Sequence, residues 1–261
     1  MERYQIILAY DGTNFLGSQR QASADPDQPR ISRTVQGELE IALRNLGWQA
    51  KSILLAGRTD TGTHASGQVA SFDLDWAHST EDLVSALNAY LPMDMAVKTA
   101  RVVPQKFHPR YDATSRRYHY RLFCQPVRDP LRERYAWRVW PPVSDLTSLA
   151  GIWFGTHDFA AFGTPPRPGG GTVRTVMDAS WRLEGDEWIF DIRADAFLYR
   201  MVRRLVFIQV AVGQGRMSVE ALVQSLQRQA EGSESVPSGL APACGLTLTE
   251  VRYDNLVQIS L

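Results

Sequence analysis

Apolar and polar positions along the chain fall into blocks, most of them with a clear period. Tyr4 to Tyr10 (YQIILAY) is a run of apolar and aromatic residues that stops at Asp11-Gly12, the pattern of a strand ending in a turn. A polar, proline-bearing loop follows (ASADPDQPR, residues 22–30). Behind Thr34, Val35, Leu39, Leu43 and Leu46 recur at helical spacing until Gly47, which predicts an amphipathic helix with a hydroxyl at its start and a glycine at its end. Ser52 to Leu55 is a short apolar strand leading into residues 56–68, AGRTDTGTHASGQ. Gln68 to Leu74 is strand-like again. Ser79 and Asp82 form a capping-box signature for a helix through Leu83, Leu87 and Leu91 that Pro92 ends. A third apolar segment runs from Ala96 to Val103.

In the second half, residues 107–123 (FHPRYDATSRRYHYRLF) alternate small or basic with aromatic residues, as a strand with one core face and one basic face would. Ser144 to Gly155 predicts a short helix, and GTPPRPGGGT (163–172) a mobile loop. Val173 to Leu183 and Glu187 to Ala194 read as a hairpin about Gly185-Asp186. Phe197 to Val212 predicts a long helix, Ser218 to Ala230 another, and Gly245 to Tyr253 a last strand. Strands in hairpin and crossover connections mixed with helices predict an α+β fold of two halves meeting near residues 104 to 115. No internal repeat relates the halves.

The length of 261 residues and a hydrophobic share of 44% suffice for one large domain or two domains sharing a core. No charged-then-apolar leader opens the sequence, and the longest apolar run, around Leu205 to Val212, is broken by Gln209, well short of the roughly 20 residues that span a bilayer. The expectation is a cytoplasmic globular protein without a membrane partner. Cys124 and Cys244 are far apart and form no C-x-x-C pair, so neither a disulfide framework nor a zinc site is suggested. The formal net charge is zero, but its distribution is uneven. From Arg101 to Arg138 ten basic residues stand against three acidic ones, a local +7 interleaved with Tyr111, Tyr118, Tyr120, Phe123, Tyr135 and Trp137. Of the 28 basic residues only Lys51, Lys98 and Lys106 are lysine. Arginine's planar fork suits phosphate and base recognition, and basic residues among aromatic faces are what single-stranded or looped RNA requires.

Few kinds of chemistry fit the polar residues. Asp11, Asp60, His64, His108 and His119 have no H-x-x-x-H or H-E-x-x-H spacing, no G-x-S-x-G elbow occurs, and both phosphate-cradling glycine patterns are absent. What remains is Arg58 two residues before Asp60 in a glycine-flanked turn. An ion pair holding the loop is one reading of that pair. The other is a catalytic carboxylate, which must stay ionised in a cleft that excludes water and so needs arginines nearby. Arg58 is one source. FLYRMVRRLV (197–206) offers Arg200, Arg203 and Arg204, and an arginine among such bulky apolar residues calls for an acidic partner.

AGRTDTGTHASGQ, RRYHY (116–120) and AFLYRMVRR (196–204) together closely resemble, in order and spacing, the three signature regions of the tRNA pseudouridine synthase A family. Similarity extends from YDGTNFLGSQRQ (10–21) through the helix containing Gln36 and FHPRYDAT to CGLTL (244–248), and so covers nearly the whole chain. The resemblance implies a pseudouridine synthase fold: two α/β halves sharing a mixed, mostly antiparallel central sheet flanked by helices. Residues 1–108 would form the half with the aspartate loop, and 109–261 the half with the uracil-stacking strand and the arginine-bearing helix. It implies Asp60 as the catalytic aspartate, nucleophile or base. Tyr118 would stack on the target uracil, Arg58 hold the displaced nucleotide, Arg203 pair with the aspartate, and Leu246 lie near the base pocket. His64 would position the loop or touch phosphate, and Arg110, Arg116 and Arg117 would meet the RNA backbone. The implied activity is conversion of uridine to pseudouridine at positions 38, 39 and 40 of the tRNA anticodon stem-loop, by a homodimer that needs no cofactor and no metal.

Two features depart from the family pattern. Ser18 stands where a tryptophan is common, and the loop from Ala22 to Ser32 is longer. Both lie in a region that family members use to contact RNA, so a change in affinity or in site range is expected. Thr63 in place of the frequent valine is near-isosteric. A non-catalytic RNA-binding or RNA-chaperone protein that keeps the fold is the rival reading, supported by Ser18 alone; a metal-dependent hydrolase centred on Asp60 and His64 is a more distant one.

Overall fold

A computed structural model describes residues 1–20, 33–165, 167–227 and 236–254. The predicted loop at 22–32 and the end of the last predicted helix lie outside the described residues. Packing divides the chain into two compact units, Met1–Thr114 with Leu248–Leu261, and Ser115–Thr247.

In the first unit, β1 (Glu2–Tyr10) leads to α1 (Val35–Asn45), whose start is capped by Thr34 Oγ1 accepting the Gly37 N–H. Val35, Leu39, Ala42 and Leu43 of α1 are fully buried, as their spacing predicts. β2 (Leu54–Leu55) and β3 (His64–Leu74) flank the glycine-rich loop, and α2 (Thr80–Tyr90) opens with the reciprocal Ser79–Asp82 capping box. β4 (Met95–Val103) completes this stretch. β3 begins at His64, earlier than Gln68, because its pairing with β1 continues to Tyr10 opposite Ala65.

The second unit contains β5 (Ser115–Cys124), β6 (Trp137–Val139), β7 (Gly155–Asp158), β8 (Val173–Glu184), β9 (Glu187–Ala194), α3 (Met201–Gly213) and α4 (Val219–Gln227). Its strands run in the order β5-β9-β8-β7, all antiparallel, with β6 added parallel to β5. β10 (Leu246–Arg252) is the last strand, and from Leu248 on it belongs to the first unit, where the order is β4-β1-β3-β10. The sheet pattern is mixed and mostly antiparallel, and the class is α+β.

Three expectations from local pattern are corrected, and two short strands were not anticipated. β5 starts at Ser115 rather than near Phe107, because Asp112 accepts the His108 N–H at 2.9 Å and returns its own N–H to His108 O at 3.0 Å, closing a turn around Pro109. The expected helix at 144–155 is a 3-10 helix over Thr147–Trp153. α3 starts at Met201 rather than Phe197, because Tyr199 exchanges backbone hydrogen bonds with Thr164 (2.9 and 3.3 Å), which holds that stretch extended. Arg200 then turns the chain with φ 63°, the only non-glycine residue in that region among those described. β6 and β7, of three and four residues, are too short for their period to be read from sequence.

Each unit has its own core. Tyr4, Ile6, Leu8, Leu39, Leu43, Phe72, Leu83 and Leu87 are buried in the first; Tyr120, Leu122, Phe190, Ile192, Leu205 and Ile208 in the second. Gly67 on β3 sits so close to β10 that a Cβ there would come within 2.1 Å of Thr249 O. Backbone cannot yield as a flexible side chain does. Gly67→Ala is therefore expected to destabilise the first unit by about 3 kcal/mol, read as a lower urea midpoint; a wild-type midpoint would contradict the close approach.

Arg33 joins both ends of the first unit's helical layer. Its guanidinium grips Asp94 bidentately at 2.7 Å and reaches Glu38 at 2.9 Å. Hydrogen bonds from Arg33, and its charge, hold the Asp94 carboxyl below the usual carboxylate range against the opposing effect of burial. A lowered folded value means the stabilisation is complete above the unfolded pKa of about 3.9 and is lost as pH falls through the folded value. The Tm gap between wild type and Asp94→Asn should be wide at pH 7 and close progressively below about pH 4; a gap that persists at pH 2 would contradict it.

Candidate active site

Asp60 lies in the loop between β2 and β3, at the first position of a tight turn: Thr63 N donates to Asp60 O at 3.0 Å. Gly62 occupies the third position with φ 78°, which a side chain rarely tolerates, and this is why TG follows the aspartate. The carboxylate residue is half-buried, while Thr59 before it and Thr63 after it are buried. Arg58 is exposed and makes no hydrogen bond or ion pair among the described residues. The Thr63 hydroxyl is buried without a partner, so the valine of the family pattern would lose nothing there.

The loop is held almost entirely from outside itself. Ser18 N donates to Thr59 O at 3.1 Å and Ser18 Oγ accepts the Thr59 N–H at 2.8 Å. The Tyr10 and Thr59 hydroxyls are 2.9 Å apart, and Gln68 Nε2 donates to Gly57 O at 3.0 Å and to the Tyr10 hydroxyl at 3.4 Å. Burial pushes the Tyr10 phenol up to about 12, with its hydrogen bonds to Thr59 and Gln68 pulling the other way. It is a neutral hydrogen-bonding group at working pH. His64 is buried, and its Nδ1 accepts the Gly12 N–H at 3.0 Å. Nδ1 also lies 3.2 Å from Asp11 Oδ1. Tyr10, Ser18 and Gln68 are site residues that sequence reasoning missed. Ser18 had been marked only as a departure from the family pattern.

In the second unit, strand alternation places Arg116, Tyr118, Tyr120 and Leu122 on one face of β5 and Arg117, His119 and Arg121 on the other. Tyr118 is 9% exposed and meets Phe197 edge to face at 5.1 Å between centroids. Phe197 can do this because it precedes α3 rather than belonging to it. Tyr120 is fully buried and donates to Pro242 O at 2.8 Å, which marks it as core. Arg203, half-buried on α3, donates from Nε to Ala241 O at 2.7 Å. Arg204 meets the carbonyls of Val236, Pro237 and Gly239, so backbone oxygens rather than an acid satisfy it, and burial lowers its pKa. Leu246 is buried at the start of β10, after the 3-10 turn Ala243–Gly245 that packs on Tyr120.

The local +7 of the sequence is answered in part by acids of the β8–β9 hairpin. Arg117 pairs with Asp191 and, at 3.2 Å, with Asp178; Arg121 pairs with Glu187 at 2.6 Å; Arg132 with Asp186 and Glu187 at 2.8 and 3.1 Å. Arg128 and Arg138 share Glu133 at 2.8 and 3.0 Å. Asp191 is buried; burial raises its pKa, yet the His119 hydrogen bond and the His119 and Arg117 charges outweigh this and leave the carboxyl below its ordinary range. Arg116 is buried, with its guanidinium on Asp195 O at 2.9 Å. Arg110 is exposed on the turn before β5. Among the described residues no cluster of three His, Cys, Asp or Glu side chains could hold a metal ion, and no helix is long and apolar enough to cross a membrane.

Comparison with known sequences gives the family of the chain. The chain is 41% identical over 261 residues to tRNA pseudouridine synthase A of Solidesulfovibrio magneticus, covering 97% of this chain and 92% of the relative. It is 39% identical over 264 residues to the protein of that name from Chloroflexus aurantiacus (97% and 89% covered) and 37% over 244 residues to that of Neisseria meningitidis (92% and 89%). The sequence model of the family described as tRNA pseudouridine synthase matches residues 6–112 and 150–254. A match over most of the chain, with relatives of this identity, shows that the chain belongs to the tRNA pseudouridine synthase family, a family of isomerases with the α+β pseudouridine synthase fold.

Proposed function

We propose that this chain converts uridine to pseudouridine at positions 38, 39 and 40 of the tRNA anticodon stem-loop, with Asp60 as the catalytic carboxylate. The observation that carries the reading is the contrast at the β2–β3 loop. Thr59 and Thr63 are buried and Thr59 is tied down through every polar group, while Asp60 between them is only half-buried. A loop so constrained holds the residue it carries in one place, which is what a reacting group requires, and Arg58 beside it is exposed.

The reaction breaks the N1–C1′ bond, turns the uracil and joins C5 to C1′, and the C5 proton leaves as N1 gains one, so nothing is added or removed. Asp60 serves as nucleophile at C1′ or as base at C2′. The uridine must leave its stack at a cost of about a few kcal/mol, and Tyr118 returns part of that by stacking on the freed base. Arg58 holds the displaced nucleotide, Arg203 balances the aspartate charge, Leu246 lines the base pocket and His64 braces the loop. Arg110, exposed on the turn before β5, meets the RNA backbone. The protein acts in the cytoplasm, where tRNA is processed, as a homodimer; a monomer mass in sedimentation would remove the homodimer from the proposal. No cofactor takes part.

Pseudouridine mapping tests the reading, on an unmodified tRNA transcript with uridines at 38, 39 and 40, in EDTA. The wild type should convert them, and Asp60→Asn should bind the tRNA but lose roughly 10³-fold or more in turnover. Substantial activity in Asp60→Asn would overturn the role of Asp60. Wild-type binding without conversion would favour the RNA-binding reading, and loss of conversion with EDTA the metal-dependent one.

A further inference from the structure

We propose that Ser18 is a positioning residue for the reaction: it sets the backbone of Thr59, and through it the placement of Asp60. The inference rests on Asp60 being the catalytic group. Thr59 is covalently joined to Asp60 and sits where no helix or strand ladder can satisfy its amide and carbonyl. Ser18 satisfies both, donating its own N–H to Thr59 O at 3.1 Å and accepting the Thr59 N–H on Oγ at 2.8 Å. The remaining polar group of Thr59, its hydroxyl, is 2.9 Å from that of Tyr10.

Ser18 is itself anchored. Its carbonyl accepts the Gln36 N–H at 2.9 Å near the start of α1, and Gln36 Oε1 accepts the Arg20 N–H at 3.1 Å. Gln36 Nε2 reaches Glu40 Oε1 and Ser52 Oγ, both at 2.8 Å, and Glu40 Oε1 accepts the Ile53 N–H at 3.1 Å. One hydrogen-bonded path therefore runs from α1 to the strand before the loop, and Ser18 carries it to the loop itself. Ser18 is fully buried, at 0% exposure, so its side chain cannot meet RNA. A hydroxyl there fits the short span to Thr59 N. Alanine would leave that amide buried with no acceptor, and the loop would shift to find one.

A displacement of about 1 Å at a reacting group costs on the order of 10²-fold in rate. Ser18→Ala is expected to lower kcat on the tRNA transcript by roughly 10- to 100-fold while KM stays within about threefold of wild type. Amide exchange of Thr59, followed by NMR, should accelerate at least about tenfold in Ser18→Ala and remain unchanged in Asp60→Asn. Ser18→Thr, which keeps the hydroxyl, should recover most of both. Should Ser18→Ala fail to fold, Tyr10→Phe removes the other outside hold on Thr59 at constant shape and should likewise lower kcat more than it raises KM. Wild-type kcat in Ser18→Ala, a loss confined to KM, or a loss of kcat with Thr59 still protected would each overturn the proposal. Asp60→Asn in the same assay separates the two failures. If it is active, the catalytic reading falls; if it is dead while Ser18→Ala turns over normally, only the positioning role falls.

Discussion

Thr59 and Asp60 occupy a stretch that is neither helix nor ladder, so each amide and carbonyl there needs a partner from another part of the chain. For Thr59 those partners are both on Ser18. Such a bond contributes only about 1 kcal/mol net, but leaving the buried amide without an acceptor costs about 1–3 kcal/mol. That asymmetry makes the pairing a sharp selector of geometry rather than a large source of stability. The surroundings follow from it. Residues 11–18 must return past the loop, and α1 must begin where Gly17 O and Ser18 O can accept from Val35 and Gln36. Arg33, just before that helix, then closes the turn over Phe15 and Asp94.

Electrostatics in the second unit divide by burial rather than by charge count. Arg128 is paired with Glu133 but its side chain is 73% exposed, and solvent screens a surface ion pair of this kind so that it contributes little. It can exchange a carboxylate for a phosphate at small cost. Arg117 is different. It shares the buried Asp191 with His119, and removing it would leave a carboxylate without its arginine in a half-desolvated site. Two arginines of equal formal charge thus offer RNA different things, and a basic run in a sequence measures neither.

Much of the fold was legible because its signals are local. Thr34 and Ser79 cap the helices they precede, the alternation of β5 buries Tyr120 and Leu122, and the hairpin about Gly185-Asp186 forms as read. Failures came where a distant residue decided a local outcome. Thr164 takes the backbone groups of Tyr199 and delays α3, which frees Phe197 to meet Tyr118. Arg117 finds its acids 61 and 74 positions later, beyond any window in which charge is counted. The same holds for the site. The RTD motif stands out in the sequence, but the residues that hold it, Tyr10, Ser18 and Gln68, come from other elements and carry no periodic signature.

Ser18 shows how burial changes what a departure from a family pattern means. Read along the sequence, serine in place of tryptophan in a region that contacts RNA suggests a lost contact, and it was the sole support for a binding protein without activity. At 0% exposure the serine side chain itself offers RNA nothing to contact. What the residue does have is a hydroxyl aimed at the amide next to Asp60. An isomerisation that adds and removes nothing leaves the protein only geometry and charge with which to lower the barrier. A residue that fixes the geometry of the carboxylate's own backbone therefore bears on rate more directly than one that adds affinity for the rest of the RNA, because affinity shared by ground state and transition state does not raise kcat.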